Sequence, residues 1–330
     1  MLIEKLYIEE FRGIKRLAKP LELGRFTVLI GRNNVGKTAI LEALYMLTAP
    51  EPAYVVGPYA KNPRILISEL HGGGGALIYG YHGKALIRYE LRNEVLVEDK
   101  RIKSVELELS TDSYSMPFLK IITKYDQFYK ALGVKFGDER DILALYVPNN
   151  SESFNAILDF AKRSDVLRWA EKEGHNARVA ELVSKAVYDN FTEVLLRGNE
   201  LCLRKVGPRG PMYIDLKSVG EGIKRFVLVY YAVEYINPRI VLWDDIEVAA
   251  HPSLLDMVVK WLANSNRQVV VATHSIDVLY SLAVAKPKDC MVIVLKKMQD
   301  DVVDWRALTL DEVEELLTSS IDPRKIVDEA

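Results

Sequence analysis

The chain has little cysteine, no excess of either charge and no long apolar run among its 330 residues. A bilayer span needs roughly 18 consecutive apolar residues, and Glu234 interrupts the most apolar candidate, residues 226–236. The first five residues already contain an acid and no apolar core, so they do not resemble a secretory signal. These absences predict a cytoplasmic protein that does not associate with membranes.

The two cysteines, Cys202 and Cys290, are too few for a disulfide-stapled scaffold or a cysteine-based metal framework, and they indicate a reducing compartment. The 44 basic and 46 acidic residues give a net charge of −2, unlike a strongly basic nucleic-acid binder. Any DNA binding would therefore depend on a patch assembled by folding. The hydrophobic fraction of 49% and the charged fraction of 27% are typical of a folded globular protein.

The hydrophobic pattern predicts an α/β protein with a mixed sheet. Short apolar segments at residues 2–9 and 26–30 are typical of strands, and residues 37–48 carry the apolar stripe of a helix. Alternating residues between 76 and 110 predict an antiparallel meander with turns at 82–84, 92–93 and 99–100. Helical patterns dominate residues 126–197, and the last third alternates helix and strand, which favours a parallel core.

A phosphate-binding loop is the strongest chemical signal. Residues 31–38 match the pattern G-x-x-x-x-G-K-[ST], with a predicted strand before them and a predicted helix after them. Backbone N–H groups at a helix N-terminus bind anions, so Lys37 would reach the β- and γ-phosphates of ATP and Thr38 would ligate Mg²⁺. The candidate nucleotide-binding residues are Gly31, Arg32, Asn33, Asn34, Val35, Gly36, Lys37 and Thr38.

Two further strand ends carry polar residues. Asp244 and Asp245 follow the apolar segment 240–243, and His274 follows the apolar segment 269–272. Ligands of open α/β sheets bind at the carboxyl ends of strands. Asp244 would therefore hold Mg²⁺, Asp245 would orient or deprotonate the attacking water, and His274 would hydrogen-bond the γ-phosphate. In an alternative interpretation, Asp245 is structural and Glu247 is the general base.

Residues 216–222 lie just before a very apolar predicted helix and allow two interpretations. Ser218 and Glu221 have the spacing of a capping box. The same helix start, with a hydroxyl group and Gly220, is also a candidate anion site.

These elements, in this order, resemble the ATP-binding-cassette ATPases of the repair and chromosome-maintenance branch: Rad50, structural-maintenance-of-chromosomes heads, RecF and the overcoming-lysogenization-defect ATPases. The opening residues 8–13, Ile-Glu-Glu-Phe-Arg-Gly, are similar to the start of those proteins. Residues 241–254 resemble their Walker B motif and D-loop, and residues 273–275, Thr-His-Ser, resemble their histidine switch.

The resemblance implies a homodimer in which two heads close on two ATP molecules. Ser218, Gly220 and Glu221 would then act as a signature that contacts the γ-phosphate in trans, and Arg12 would contact phosphate in cis. Gln127 and the segment Pro148-Asn149-Asn150 are two candidates for the glutamine loop of the family. The usual Walker B glutamate is replaced by Asp245, which leaves the rate of hydrolysis open.

A single ATPase head is therefore expected over residues 1–330. It would comprise an ATP-binding lobe with the meander (1–125), a mainly helical insertion (126–210) and a lobe with signature, Walker B and histidine switch (211–330). The insertion lacks sustained heptads, so no long coiled coil is expected, and the tail after His274 is too short for an appended nuclease domain.

Three functions remain open. The first is an ATPase switch in DNA repair or defence that works with a separate nuclease or effector protein. The second is an ATPase module that acts only on protein partners. The third, the nucleotide-binding subunit of a membrane transporter, is disfavoured by the Phe11-Arg12-Gly13 start and by the Thr273-His274-Ser275 switch.

Overall fold

Two sheets, one of 12 strands and one of three, organise the part of the chain that the structure describes. The computed structural model describes residues 1–48, 57–97, 100–111, 118–121, 125–134, 140 and 142–326. Within these ranges no helix is both long enough and apolar enough to cross a bilayer.

The N-terminal third contributes most of the antiparallel part of the large sheet. Four strands and the helix that follows the phosphate loop come first, and a second helix and the meander strands complete this part: β1 (Ile3–Phe11), β2 (Ile14–Leu17), β3 (Leu21–Glu22), β4 (Phe26–Ile30), α1 (Lys37–Met46), α2 (Pro63–Leu70), β5 (Gly83–Val97), β6 (Lys100–Thr111) and β7 (Phe118–Ile121). The strands β5, β6 and β7 pair in antiparallel fashion in chain order, which confirms the predicted meander from residue 83 onwards. Its predicted beginning was wrong, because Gly74–Leu77 and Tyr79–Tyr81 form short 3-10 helices. The turn predicted at 99–100 includes residue 99, which lies outside the described residues.

The middle of the chain is mainly helical. It contains α3 (Tyr125–Ala131), β8 (Ala144–Val147), α4 (Ser151–Ala161), α5 (Ser164–Lys172) and α6 (His175–Val187). The small antiparallel sheet follows, with β9 (Phe191–Arg197), β10 (Glu200–Gly207) and β11 (Gly210–Asp215).

The last third alternates helix and strand, as predicted. Its elements are α7 (Glu221–Ile236), β12 (Ile240–Trp243), α8 (Pro252–Ala263), β13 (Gln268–Ala272), α9 (Ile276–Ala285), β14 (Cys290–Lys297), β15 (Val302–Leu308) and α10 (Leu310–Thr318).

The large sheet has the order β7-β6-β5-β1-β2-β15-β14-β4-β13-β12-β8, with β3 paired to β1 off this path. Strands β14, β4, β13, β12 and β8 are mutually parallel. Every residue of β4, β12, β13 and β8 is buried, as expected of parallel strands that are covered on both faces. The predicted α/β fold with a mixed sheet is therefore confirmed.

Some local predictions were wrong. The turn predicted at Arg92-Asn93 is absent, because β5 continues to Val97 with a register shift between Glu90 and Val95. The polar residues there reflect exposure on both faces rather than a turn. Strands β8 and β9 fall in the segment 126–197, where helices were expected. For β8 the reason is that a short apolar run does not distinguish a buried strand from a buried helix.

Candidate nucleotide site

Four parallel strands end at one edge of the large sheet, and each is followed by a polar segment. The phosphate loop follows β4, Asp244 follows β12, Thr273 and His274 follow β13, and Asn149 lies just beyond β8. These four strands are direct neighbours in the order β4-β13-β12-β8. The sheet therefore brings together residues that lie up to 243 positions apart in the chain, from Gly31 to His274.

A cavity of about 320 Å³ lies over this edge. It is lined by residues 33–39 of the phosphate loop and α1, together with Arg12, Gly13, Asp245 and His274. Nine of the eleven residues that line the cavity were predicted to belong to one site. The other two, Gly13 and Ala39, are neighbours of predicted residues.

The phosphate loop is shaped to present backbone N–H groups. Gly36 has a φ of 107°, a left-handed conformation that favours glycine, and α1 begins at the next residue with no side-chain cap. The Nζ atom of Lys37 donates to the carbonyl oxygens of Gly31 and Arg32, each at 2.9 Å. Burial lowers the pKa of Lys37 to about 8, and the nearby carboxylates oppose this shift. The lysine is thus held at the loop by weak neutral acceptors that a phosphate could replace.

Thr38 and Asp244 form the direct link between the loop and β12. Thr38 Oγ1 donates to Asp244 Oδ2 at 2.8 Å, and Asp244 is only 7% exposed. Burial raises the pKa of Asp244 to about 6, the Thr38 hydrogen bond lowers it, and the neighbouring carboxylates of Asp245 and Glu42 raise it further. A hydroxyl and a carboxylate side by side are hard oxygen donors of the kind that Mg²⁺ prefers.

Asp245 occupies a left-handed backbone conformation with a φ of 47°, which is uncommon for a residue with a side chain and is found at functional turns. Its Oδ2 atom accepts a hydrogen bond from the Asn149 side-chain amide at 3.1 Å. Its Oδ1 atom lies 3.7 Å from Nε2 of His274. Asp245 and His274 therefore meet at the cavity wall, as the sequence predicted.

Glu247 is engaged elsewhere. Its Oε2 atom accepts from Thr273 Oγ1 at 2.8 Å, and its Oε1 atom accepts from the backbone N–H of His274 at 2.6 Å. Both carboxylate oxygens are thus bound to the loop after β13, and Glu247 is not among the residues that line the cavity.

The chain matches the family model of an AAA domain described as a putative AbiEii toxin of a type IV toxin–antitoxin system, over residues 26–280. It belongs to this AAA-domain family. No curated protein matches the chain in sequence.

Solved structures of SMC heads share the fold of this AAA domain. An SMC head bound to the C-terminal winged-helix domain of ScpA has a TM-score of 0.62 at 14% identity, covering 94% of this chain and 99% of that one. The head with an extended coiled coil bound to the C-terminal domain of ScpA, from Pyrococcus furiosus, has a TM-score of 0.56 at 14% identity, with coverage of 97% and 100%. The SMC head of Thermotoga maritima has a TM-score of 0.53 at 14% identity, with coverage of 94% and 100%.

The predicted resemblance to an ABC-type, SMC-like ATPase head is therefore confirmed. The longest helix in the described ranges, α7, has 16 residues, so this part of the chain contains no long coiled coil. The match to an AAA domain indicates nucleotide binding.

Arg12 borders the cavity, and a buried carboxylate holds it there. Arg12 Nε donates to Glu42 Oε2 at 2.8 Å, and one of its terminal nitrogens donates to the carbonyl oxygen of Ala76 at 2.9 Å. Glu42 is fully buried on α1 and also lies 2.5 Å from Nε2 of His71. Sequence reasoning missed Glu42, although a single acid among the apolar residues of α1 was a usable signal.

The signature segment lies outside the cavity, because Ser218, Gly220 and Glu221 are not among its lining residues. The predicted capping box is wrong, since Gly220 is the N-cap of α7 and no side chain caps it. Ser218 is two residues too early to be the N-cap. Glu221 is instead paired with Lys224 at 3.3 Å and with Arg225 at 3.7 Å.

The start of α7 packs closely on the segment after Glu247. A Cβ atom at Gly222 would lie 2.3 Å from the carbonyl oxygen of Ala249, so only glycine allows this approach. A Cβ atom at Gly220, in contrast, would meet no described atom within 4 Å. The glycine at 220 is therefore not required by packing within this chain.

Of the two candidates for the glutamine loop, the Asn149 segment reaches the site through Asp245. Asn149 Oδ1 also accepts from Arg225 of α7 at 3.3 Å. Gln127 lies in α3, and its side chain is outside the described part of the structure.

Proposed function

We propose that this AAA domain is a Mg²⁺-dependent ATPase whose heads dimerise when ATP binds. The observation that carries the proposal is the convergence of four strand ends on one cavity, with the phosphate loop, the Thr38–Asp244 pair and the Asp245–His274 pair around it. We treat residues 1–330 as one head, with lobes at 1–125 and 211–330 and an insertion at 126–210.

Nucleotide binding would use the loop residues 31–38. The N–H groups at the start of α1 would cradle the phosphates, and Lys37 would exchange its two carbonyl acceptors for phosphate oxygens. Thr38 and Asp244 would hold Mg²⁺, which supplies charge neutralisation at the β- and γ-phosphates when bound. Arg12, held by Glu42, would add a second cation on the same side of the cavity.

Asp245 is the better candidate for the general base. It lines the cavity and is oriented by Asn149, whereas both oxygens of Glu247 already accept hydrogen bonds from the loop after β13. Asp245 would orient the attacking water and take its proton, and His274 would hydrogen-bond the γ-phosphate. Aspartate is shorter than glutamate by one C–C bond, roughly 1.5 Å, so we expect slow turnover typical of a switch.

The second half of each nucleotide site would come from a partner head. The signature residues Ser218, Gly220 and Glu221 lie away from their own chain's cavity, and a Cβ atom at Gly220 would meet no described atom within 4 Å. Both features are expected of residues that approach phosphate in trans. A two-fold dimer satisfies this arrangement at both sites at once.

The biological role that we favour is an ATPase switch in DNA repair, DNA processing or defence, with a separate nuclease or effector. The alternative is an ATPase module that engages only protein partners, and the SMC heads solved with ScpA domains are consistent with either role. Binding of duplex DNA, measured with and without ATP across a salt series, separates them. Phosphate contacts give a falling slope of log affinity against log salt, and no binding at low salt favours the protein partner.

The ATPase assignment is tested with Lys37→Ala. The variant should lose Mg²⁺–ATP binding in calorimetry and lose hydrolysis, because the loop then lacks the cation that contacts the β- and γ-phosphates. Lys84→Ala, which removes an exposed lysine on β5, is the matched control and should bind normally. Equal nucleotide affinity in Lys37→Ala and in the control would refute the assignment.

A further inference from the structure

The backbone of His274 is held at its N–H and at its carbonyl oxygen by charged side chains from distant parts of the chain. Its N–H donates to Glu247 Oε1 at 2.6 Å, and its carbonyl oxygen accepts a hydrogen bond from a terminal nitrogen of Arg324. Hydrogen bonds with an ionised partner are stronger than neutral ones. The backbone that carries the His274 side chain is therefore fixed from two directions.

The C-terminal helix brings Arg324 to this position. Helix α10 packs on α9, and Lys286 at the end of α9 pairs with Glu314 in the middle of α10 at 3.0 Å. The chain therefore runs back along α9 towards its first residue, Ile276, which lies two positions after His274.

A turn after α10 leads the chain to Arg324. The N–H of Ile321 donates to the carbonyl oxygen of Leu316 at 2.9 Å, and Ser320 takes a left-handed φ of 59°. The side chain of Asp322 then accepts from the N–H of Arg324 at 3.0 Å, and Pro323 between them is buried. The backbone at Arg324 is thus fixed before its side chain reaches His274.

The guanidinium group itself is oriented by a two-point ion pair. Nε of Arg324 lies 2.9 Å from Oδ1 of Asp322, and a terminal nitrogen lies 2.6 Å from Oδ2. Asp277 and Glu247 also face the guanidinium group and favour its charged form. The remaining terminal nitrogen is the one that donates to His274.

We propose that Arg324 is a positioning residue for ATP hydrolysis, which fixes the His274 peptide against Glu247 so that the imidazole faces Asp245 and the γ-phosphate. This inference rests on the proposed function, because it requires His274 to act at the phosphate. It gives Arg324 a role in hydrolysis although Arg324 does not line the cavity.

The test compares Arg324→Ala, Arg324→Lys and the control Lys325→Ala, which removes the neighbouring exposed cation. We expect Arg324→Ala to lower kcat by about tenfold, since small displacements of a reacting group are costly, while its Kd for ATP stays unchanged. Arg324→Lys keeps a cationic donor and should recover part of the rate even if Arg324→Ala loses thermal stability. A kcat for Arg324→Ala equal to that of Lys325→Ala would overturn the proposal.

A double-mutant cycle shows whether Arg324 acts through His274. In a His274→Ala background, Arg324→Ala should cause little further loss, because the group that it positions is gone. If the fold-loss in kcat of the double variant equals the product of the two single losses, the positioning role is overturned and the ATPase assignment stays intact. If His274→Ala itself hydrolyses ATP at the normal rate, the role of His274 in the proposed function fails, and the role of Arg324 fails with it. Absence of hydrolysis in the unmodified protein would refute the ATPase assignment itself.

Discussion

Asn149 donates a hydrogen bond to Asp245 across 3.1 Å and thereby connects the segment after β8 to the end of β12. The same asparagine accepts from Arg225 of α7. One side chain therefore contacts both the candidate base and the helix that follows the signature segment. Sequence patterns placed Asn149 only among two candidates for the glutamine loop.

Asn149→Ala should lower kcat by about three- to tenfold, because Asp245 loses the donor that orients it, and should leave the Kd for ATP unchanged. Steady-state hydrolysis and calorimetry measure the two quantities. Asn150→Ala is the control, since Asn150 caps α4 and its loss should cost about 1 kcal/mol of stability with normal turnover. A lower kcat for Asn150→Ala, together with a normal kcat for Asn149→Ala, would contradict this assignment.

Asp245→Asn should bind ATP, remain dimeric and lose turnover by about 10²-fold or more, because it keeps the side-chain shape but loses the basic oxygen. Glu247→Gln should retain most activity, since an amide can still accept one of the two hydrogen bonds that Glu247 makes. Single-turnover hydrolysis compares the two variants. The opposite order of activities would assign the base to Glu247 and leave the fold unaffected.

Ser218→Arg should weaken ATP-dependent dimerisation, because a long cation would keep the start of α7 from approaching the partner's phosphate. Light scattering with and without ATP measures the mass. Ser104→Arg introduces the same cation on β6 opposite Glu90 and should dimerise normally. The composite site would be disproved by equal masses with and without ATP for the unmodified protein.

Asp244→Asn should abolish Mg²⁺ binding and stabilise the nucleotide-free protein. Burial raises the pKa of Asp244 to about 6, so its ionised form destabilises the fold above that pH. A shift of this size corresponds to about 1 to 3 kcal/mol. The advantage of the variant should be complete above about pH 7 and should disappear as the pH falls below about 4, where the unmodified residue becomes protonated in both states.

Urea unfolding at pH 8 and pH 5 tests this dependence on pH, with Asp159→Asn, which changes an exposed carboxylate on α4, as the control. A stabilisation of Asp244→Asn that is equal at both pH values would show that the buried charge is not its cause.

The sequence by itself determined the parts of the site that are contiguous in the chain. The residues 31–38 specify a loop and a helix start through local backbone requirements such as the left-handed φ of Gly36. The apolar segments before Asp244 and His274 are typical of buried strands, and the strands β12 and β13 confirm them. Parallel strands of one sheet end at the same edge, so the meeting of these residues could also be predicted.

The tertiary structure alone decided which polar side chains support those residues. Strand β8 had to be placed beside β12 before Asn149 could reach Asp245. Glu42 contacts Arg12 across 30 positions, and Arg324 reaches His274 across 50. No local pattern encodes such contacts, because they depend on the order of strands and on helices that pack against each other. The capping box failed for the same reason, since α7 starts at Gly220 without a side-chain cap and its close contact is the approach of Gly222 to Ala249.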